Sequence, residues 1–358
     1  GYFGSQRVAA PPVPVAVPQT SSAPSKDAVF VVTGGARGVT AAVARELGLR
    51  FGVRLHLVGA SPRPEIPEAW RNLGDAELKD LKATIMKDAL ANGQKPADAW
   101  GRFEKSLEID RTLREFTDAG IRAVYHACDV GDRTALAALL ESIRHMDGPI
   151  QGIIHGAGFE RACRFEKKQR DLVDRTIAAK VDGAANLMEL TANDPIRWFA
   201  AFGSVAGRFG GVGQADYCVA NEMLAKLVDW FRSQRPDCGV SVFHWHAWDD
   251  VGMAVRPESQ HIRKLHNIRF MPSLEGAAHL IDELRSGLPE GEIAITELQY
   301  CREKYSAEVP EANAEDRRNG SAGIAPPARP QTPRPPMIDT IVELTPGQDG
   351  LCHISELA

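Results

Sequence analysis

The stretch AVFVVTGGARGVTAAVARELGLRFG, residues 28–52, leaves this chain few folds to choose from. A short apolar run rich in β-branched residues reads as a buried strand. A glycine cluster follows at once, and apolar residues then recur at helical spacing. Gly34, Gly35 and Gly38 let the backbone turn tightly and approach a ligand, with Thr33, Ala36, Arg37 and Val39 completing the turn. The N–H groups that open the following helix have no partners of their own and suit a pyrophosphate. Glycine spacing alone is a weak signal; its place between a strand and a helix makes this a dinucleotide-binding turn.

The next strand, VRLHLVGAS, addresses which dinucleotide fits. A carboxylate at its end would bind the adenosine 2′-hydroxyl of NAD, but the strand closes on Gly59, Ala60 and Ser61, with Arg63 just beyond. Together with Arg37 this favours the 2′-phosphate, and so NADPH, although Arg63 reads equally well as a solvated side chain. RAVYHACDV ends in Asp129 and Val130, where the carboxylate suits the adenine amino group. PIQGIIHGAG closes with Gly156, Ala157 and Gly158, small enough to pack against a cofactor ribose. His155 reads as a packed strand-end residue. Strands alternating with helices imply an α/β, Rossmann-like, doubly wound parallel sheet. Between Pro62 and Asp118 the charged helical repeats ELKDLKATIMKDALA and WGRFEKSLEIDRTLREFTDAG add a helical insertion, about residues 62–102, leading into the crossover helix.

A second unit lies in WFAAFGSVAGRFGGVGQADYCVANEMLAK, residues 198–226. It reads as a buried strand ending at Ser204, a glycine-rich loop, and a helix on which Tyr217 and Asn221, four apart, share a face. A strand-end hydroxyl and a helical phenol that converge suit proton delivery to a carbonyl oxygen. Lys180 sits among apolar residues in RDLVDRTIAAKVDGAANLMELT. It either snorkels to the surface or lies near Tyr217, where it would lower the phenol's pKa and bind the nicotinamide ribose.

Lys and Arg number 42 against 47 Asp and Glu, with no long basic run, so nothing marks a nucleic-acid or anionic-membrane partner. The 6 cysteines are scattered, which reads as reduced thiols in a cytoplasmic protein. No apolar run is long enough to span a bilayer. His244 and His246 alternate on a strand without a third clustered ligand, so no metal is expected. Residues 1–26 read as a Pro/Ala-rich linker in which Tyr2 and Phe3 offer a short edge strand. The ordered domain is expected over 27–305, a second Pro-rich linker over 306–336, and the alternating residues of 337–358 read as the start of another domain, as in a piece of a longer chain.

The ordered set TGGARG, CDV, HGAG, AAKVDGAANL and FGSVAGRFGGVGQADYCVAN, followed by a tryptophan-rich strand, resembles the ketoreductase domain of iterative type I polyketide synthases, within the short-chain dehydrogenase/reductase family. It is similar in flavour to the polyunsaturated fatty acid and enediyne systems, over about Asp27 to Leu298. Ordinary short-chain reductases carry Tyr-x-x-x-Lys; here the helix has Tyr217-x-x-x-Asn221 and the lysine stands upstream at Lys180, the exchange that synthase ketoreductases show. The resemblance implies NADPH-dependent reduction of a β-ketoacyl chain on an acyl carrier protein. Tyr217 would donate the proton, Ser204 would hold the same oxygen, Lys180 would lower the Tyr217 pKa and bind ribose, and Asn221 would orient Lys180 or a relaying water. Trp248, Val251, Gly252 and Met253 would line the nicotinamide and substrate side. The implied partners are the carrier protein, neighbouring synthase domains with a hot-dog dehydratase opening in MIDTIVELTPGQDGLCHISELA, and a homodimer through the parent synthase. Three departures stand out: Thr40 replaces the last glycine of the turn, FERACRF lacks a Leu-Asp-Asp signature, and Phe209 stands where the opposite stereochemical class tends to have tryptophan. The upstream pseudo-Rossmann half of many such ketoreductases is not contained in the sequence. A non-catalytic nucleotide-binding scaffold and a free-standing short-chain reductase stay open as alternatives.

Overall fold

A computed structural model describes residues 22–63, 65–252 and 269–297, together with the backbone of short strands at 2–3, 6–7, 13–14, 340–343 and 351–356. Its centre is a parallel sheet of β1 (Val29–Thr33), β2 (Arg54–Gly59), β3 (Ala123–Ala127), β4 (Ile150–His155), β5 (Trp198–Ser204), β6 (Gly239–Trp245) and β7 (Glu292–Glu297). The spatial order is β7-β6-β5-β4-β1-β2-β3, so the winding reverses between β1 and β4. Ligands of such sheets bind beyond the carboxyl ends of the strands at that reversal. Here those ends are Thr33 and His155, paired side by side.

Every residue of β1 is buried because the sheet is covered on both faces. Phe30 and Val32 enter one core with Leu47, Phe243 and Leu280. Val29 and Val31 point the other way, into a core with Leu136, Leu140, Leu224 and Val228. On the first face lie α1 (Gly38–Phe51), part of α3 (Pro96–Asp118) and α9 (Ser273–Ser286). On the second lie α4 (Arg133–Asp147), α6 (Gly183–Leu190) and α8 (Ala215–Gln234). Asp132 caps α4 by accepting from Thr134 and Ala135 N–H at 3.1 and 3.0 Å.

The insertion is a helical hairpin of α2 (Asp75–Ala91) and α3. α3 passes the expected junction near residue 102 without a break, because a lone Gly101 is tolerated inside a helix anchored by buried Trp100, Ile109 and Phe116. The insertion is therefore an N-terminal extension of the crossover helix, with α2 folded back on it and burying only Ala89.

At the far edge, the backbone of Leu351–Glu356 pairs antiparallel with β7, and Thr340–Glu343 pairs antiparallel with Leu351–Glu356. Tyr2–Phe3 pairs with Gln6–Arg7 as a separate two-stranded ribbon. The proline-rich stretch 306–336 and most of residues 1–26 lie outside the described residues.

One glycine tests how tightly this frame is packed. A Cβ on Gly152 of β4 would stand 2.1 Å from the Phe30 ring, which is itself stacked on Trp198 at 5.9 Å. Gly152→Ala is expected to destabilise the fold by about 1–3 kcal/mol, read as a fall of several degrees in the thermal midpoint.

Candidate active site

β5 ends at Ser204, whose Oγ accepts the Ala206 N–H at 3.2 Å and so caps the short helix α7 (Val205–Phe209). The long helix α8 follows and buries Tyr217 and Asn221 on one face. Burial pushes the Tyr217 phenol up to about 12, against the Ser204 and Asn221 side chains, which favour the phenolate. Asn221 Nδ2 donates to the Tyr217 carbonyl at 2.7 Å, while its Oδ1 is buried with no partner among the described residues. The expected trio of Ser204, Tyr217 and Asn221 is thus one local cluster.

Lys180 joins them from another element. α5 (Arg170–Ile177) and α6 are separated by a π-turn, Ala178–Asp182, which holds Lys180. Such widened turns are frequent at functional sites. The side chain does not snorkel: it is buried, its Nζ donates to the Phe202 carbonyl at 2.6 Å, and it lies 5.6 Å from the centre of the Tyr217 ring. Burial lowers its pKa to about 8. For the phenol itself, burial outweighs the groups that favour the phenolate.

A chain of contacts ties this lysine to the cofactor turn. His155 Nε2 faces the Lys180 carbonyl at 2.9 Å and Nδ1 faces Thr33 Oγ1 at 2.8 Å. The carbonyl can only accept, so Nε2 carries the proton and Nδ1 accepts from Thr33. Burial holds the His155 pKa down to about 4, so the ring is neutral and has one N–H to give. Thr33 Oγ1 in turn accepts from Ala157 N–H at 3.2 Å. His155 is the packed strand-end residue expected, and it also supports the π-turn.

The turn itself is built for close approach. Gly34 has φ +74°, and a Cβ there would stand 2.8 Å from the Gly156 carbonyl oxygen. Gly38 has φ +54° and lies against Gly252, which in turn lies against Val39. Val251 packs on the core beside them. Thr40, the departure from the glycine pattern, is buried against Gly156, where any Cβ would meet its hydroxyl at 2.2 Å. A Cβ on Gly158 would meet Lys180 Cε at 3.2 Å, so the last glycine of HGAG reaches the buried lysine. A Cβ on Gly35 would collide with Val32 and Leu57, and the Ala36 side chain is in the core.

Beyond the carboxyl end of β2, the Ser61 carbonyl accepts from the Tyr125 hydroxyl at 2.6 Å and Arg63 is exposed. Asp129 is exposed with one oxygen on Gly131 N–H at 3.0 Å. Val130 is buried, its carbonyl held by Asn186 Nδ2 at 2.9 Å, a support that sequence reading does not assign although Asn186 lies inside AAKVDGAANL. Arg37 pairs with Glu108 of α3 at 3.4 Å, another contact that no sequence pattern announces. Trp248 is a correction: it is a core residue, edge-on to Trp245 at 5.2 Å and filling the space beside Gly276, and does not line the site. Met253 lies outside the described residues. His244 faces Glu292 at 3.0 Å and the Ser204 carbonyl at 3.3 Å. Among the described residues no group of three or more His, Cys, Asp or Glu side chains is placed to hold a metal, and no helix is long and apolar enough to cross a membrane.

A family profile described as KR domain matches residues 28–250, which span both the glycine turn and the tyrosine helix. The chain belongs to the KR domain family. This KR domain is 29% identical over 298 residues to a polyunsaturated fatty acid synthase protein of Thraustochytrium, covering 80% of the chain and 10% of that protein. It is 37% identical over 142 residues to an erythronolide synthase of Saccharopolyspora erythraea, covering 40% of the chain and 4% of that protein. The chain therefore spans a small part of the length of the curated relatives it matches. Among solved structures it is similar to A-type ketoreductases from a modular polyketide synthase, with 28% identity, TM-score 0.58, 85% of this chain and 54% of that one. A ketoreductase domain from the bacillaene assembly line shares the fold, with 24% identity, TM-score 0.61, 80% of this chain and 60% of that one. KR domains of polyketide synthases are oxidoreductases that reduce β-ketoacyl groups, and their fold binds a nicotinamide cofactor.

Proposed function

We propose that this KR domain reduces a β-ketoacyl thioester, presented by an acyl carrier protein, to the β-hydroxyacyl thioester with NADPH. The observation that carries this reading is the Ser204–Tyr217 pair, with buried Lys180 beside the tyrosine ring and the glycine turn adjoining. The residues present fit a phosphorylated dinucleotide: bare backbone at Gly34 and Gly38, no carboxylate at Gly59, Ala60 or Ser61, and arginines at 37 and 63. When bound, NADPH supplies the hydride.

The chain's own residues do the rest. Tyr217 holds the proton that neutralises the developing alkoxide, and its raised pKa keeps it protonated until that charge appears. Ser204 donates to the same oxygen and fixes its position. Lys180 supplies a positive charge in a buried setting, where a charge acts more strongly than in water, and is available to ribose hydroxyls. Asn221 Oδ1, a buried acceptor without a partner among the described residues, suits a water that restores the Tyr217 proton.

These roles have a pH dependence. Reduction uses the protonated Tyr217 and the cationic Lys180, and the lysine is the first of the two to lose its proton, at a pH of about 8. The rate is expected to be level at lower pH and to fall as pH rises through about 8. Lys180→Arg, whose guanidinium stays charged, should remove the falling limb from a pH–rate profile, whatever its overall rate.

The wider setting belongs to the same reading. Relatives that are large synthases support neighbouring domains. The presence of both Tyr217 and Lys180, buried in mutual reach, favours turnover over a scaffold role. The test is absorbance-monitored oxidation of NADPH beside NADH with a β-ketoacyl thioester surrogate, repeated with the carrier-bound chain. NADPH oxidation yielding the β-hydroxyacyl product supports the proposal. Absence of turnover with both substrate forms, despite cofactor binding, would sink it.

A further inference from the structure

The crossover helix α3 reaches the glycine turn through Glu108. Glu108 of α3 accepts the Gly38 N–H at 2.9 Å with Oε1, and its Oε2 pairs with Arg37 Nη1 at 3.4 Å. Gly38 opens α1, and Arg37, the N-cap residue, makes no side-chain capping bond; the first turn of α1 carries no acidic residue of its own. A carboxylate from another helix therefore occupies the positive end of α1, the position that anions seek.

We infer that Glu108 competes with the cofactor's phosphate groups for Arg37 and the first turn of α1, so that α3 sets how strongly the domain prefers a 2′-phosphorylated dinucleotide. This rests on the NADPH reading above. Arg37 is one of the two arginines offered to the 2′-phosphate. The other, Arg63, is exposed and makes no ion pair among the described residues. Glu108 is held firmly at its base and loosely at its tip. Ile109 and Asp110 beside it are buried, with Asp110 bound to Arg114 at 2.9 Å, whereas the Arg37 and Glu108 side chains are 40% and 43% exposed. Such an exposed pair is weak and yields to a stronger anion. A dianionic phosphate meeting Arg37 must displace the carboxylate or accept its repulsion, and either lowers affinity.

The experiment is calorimetric titration of adenosine 2′,5′-bisphosphate and adenosine 5′-monophosphate into the full chain, its Glu108→Gln and Arg37→Gln variants, and the double variant. Glutamine keeps an acceptor for Gly38 and removes the charge. Glu108→Gln is expected to tighten the bisphosphate by about threefold to tenfold, to tighten the monophosphate less, and to lose most of its effect once Arg37 is glutamine. Unchanged or weaker bisphosphate binding in Glu108→Gln, at an unaltered thermal midpoint, would overturn the inference and make Glu108 a residue that merely prearranges Arg37. If the unsubstituted chain binds the bisphosphate no better than the monophosphate, the NADPH reading itself fails, a separate result.

Discussion

Tyr217→Phe is expected to lower turnover of a β-ketoacyl thioester by about 10²–10⁴-fold while leaving NADPH affinity nearly unchanged. The phenyl ring keeps its buried place beside Lys180, so only the hydroxyl that Ser204 and Asn221 address is lost. Single-turnover rates measured beside cofactor affinity separate the two quantities. Equal loss of both would show that the ring position, rather than the proton, had been disturbed.

The other large effect belongs to the backbone. Gly34→Ala places a methyl 2.8 Å from the Gly156 carbonyl oxygen at φ +74°, and neither partner can move away by rotating a side chain. The left-handed conformation alone costs about 1–2 kcal/mol, and the contact forces β1 and β4 apart at their carboxyl ends, where the cofactor turn and HGAG meet. NADPH affinity should fall by roughly 100-fold or more, as about 2.7 kcal/mol of lost binding would give. Gly93→Ala is the control for strain: φ is +69° and nothing lies within 4 Å of its Cβ, so a small drop in thermal midpoint with intact cofactor binding is expected.

Much of this is readable from residues whose local chemistry decides their place. The β-branched strand before Gly34 has to be a central strand because both of its faces are apolar. Tyr217 and Asn221 have to share a face because they are one helical turn apart. Ser204 sits where an apolar run meets glycine. What stays hidden depends on contacts across the chain. The tryptophan-rich strand offers Trp248 as a lining residue, and only the packing of Gly276 shows that the ring belongs to the core. The continuity of α3 through Gly101 is invisible in charged residues with helical periodicity on both sides. Glu108 reads like any solvated carboxylate until α3 is docked beside α1. Lys180 is placed by resemblance, and its burial and lowered pKa come from tertiary packing alone.

The π-turn at Ala178–Asp182 makes the spacing along this segment as consequential as its composition. Each residue of a regular helix advances the side chain by about 100°, so removing one residue from the turn would let the ladder close regularly and would swing everything on one side of the cut around the axis. Lys180 and Asn186 lie on the two sides of Gly183, one bonded to the Phe202 carbonyl beside the Tyr217 ring and the other to the Val130 carbonyl. A single-residue deletion there would leave both side chains in the protein and their two tasks out of phase.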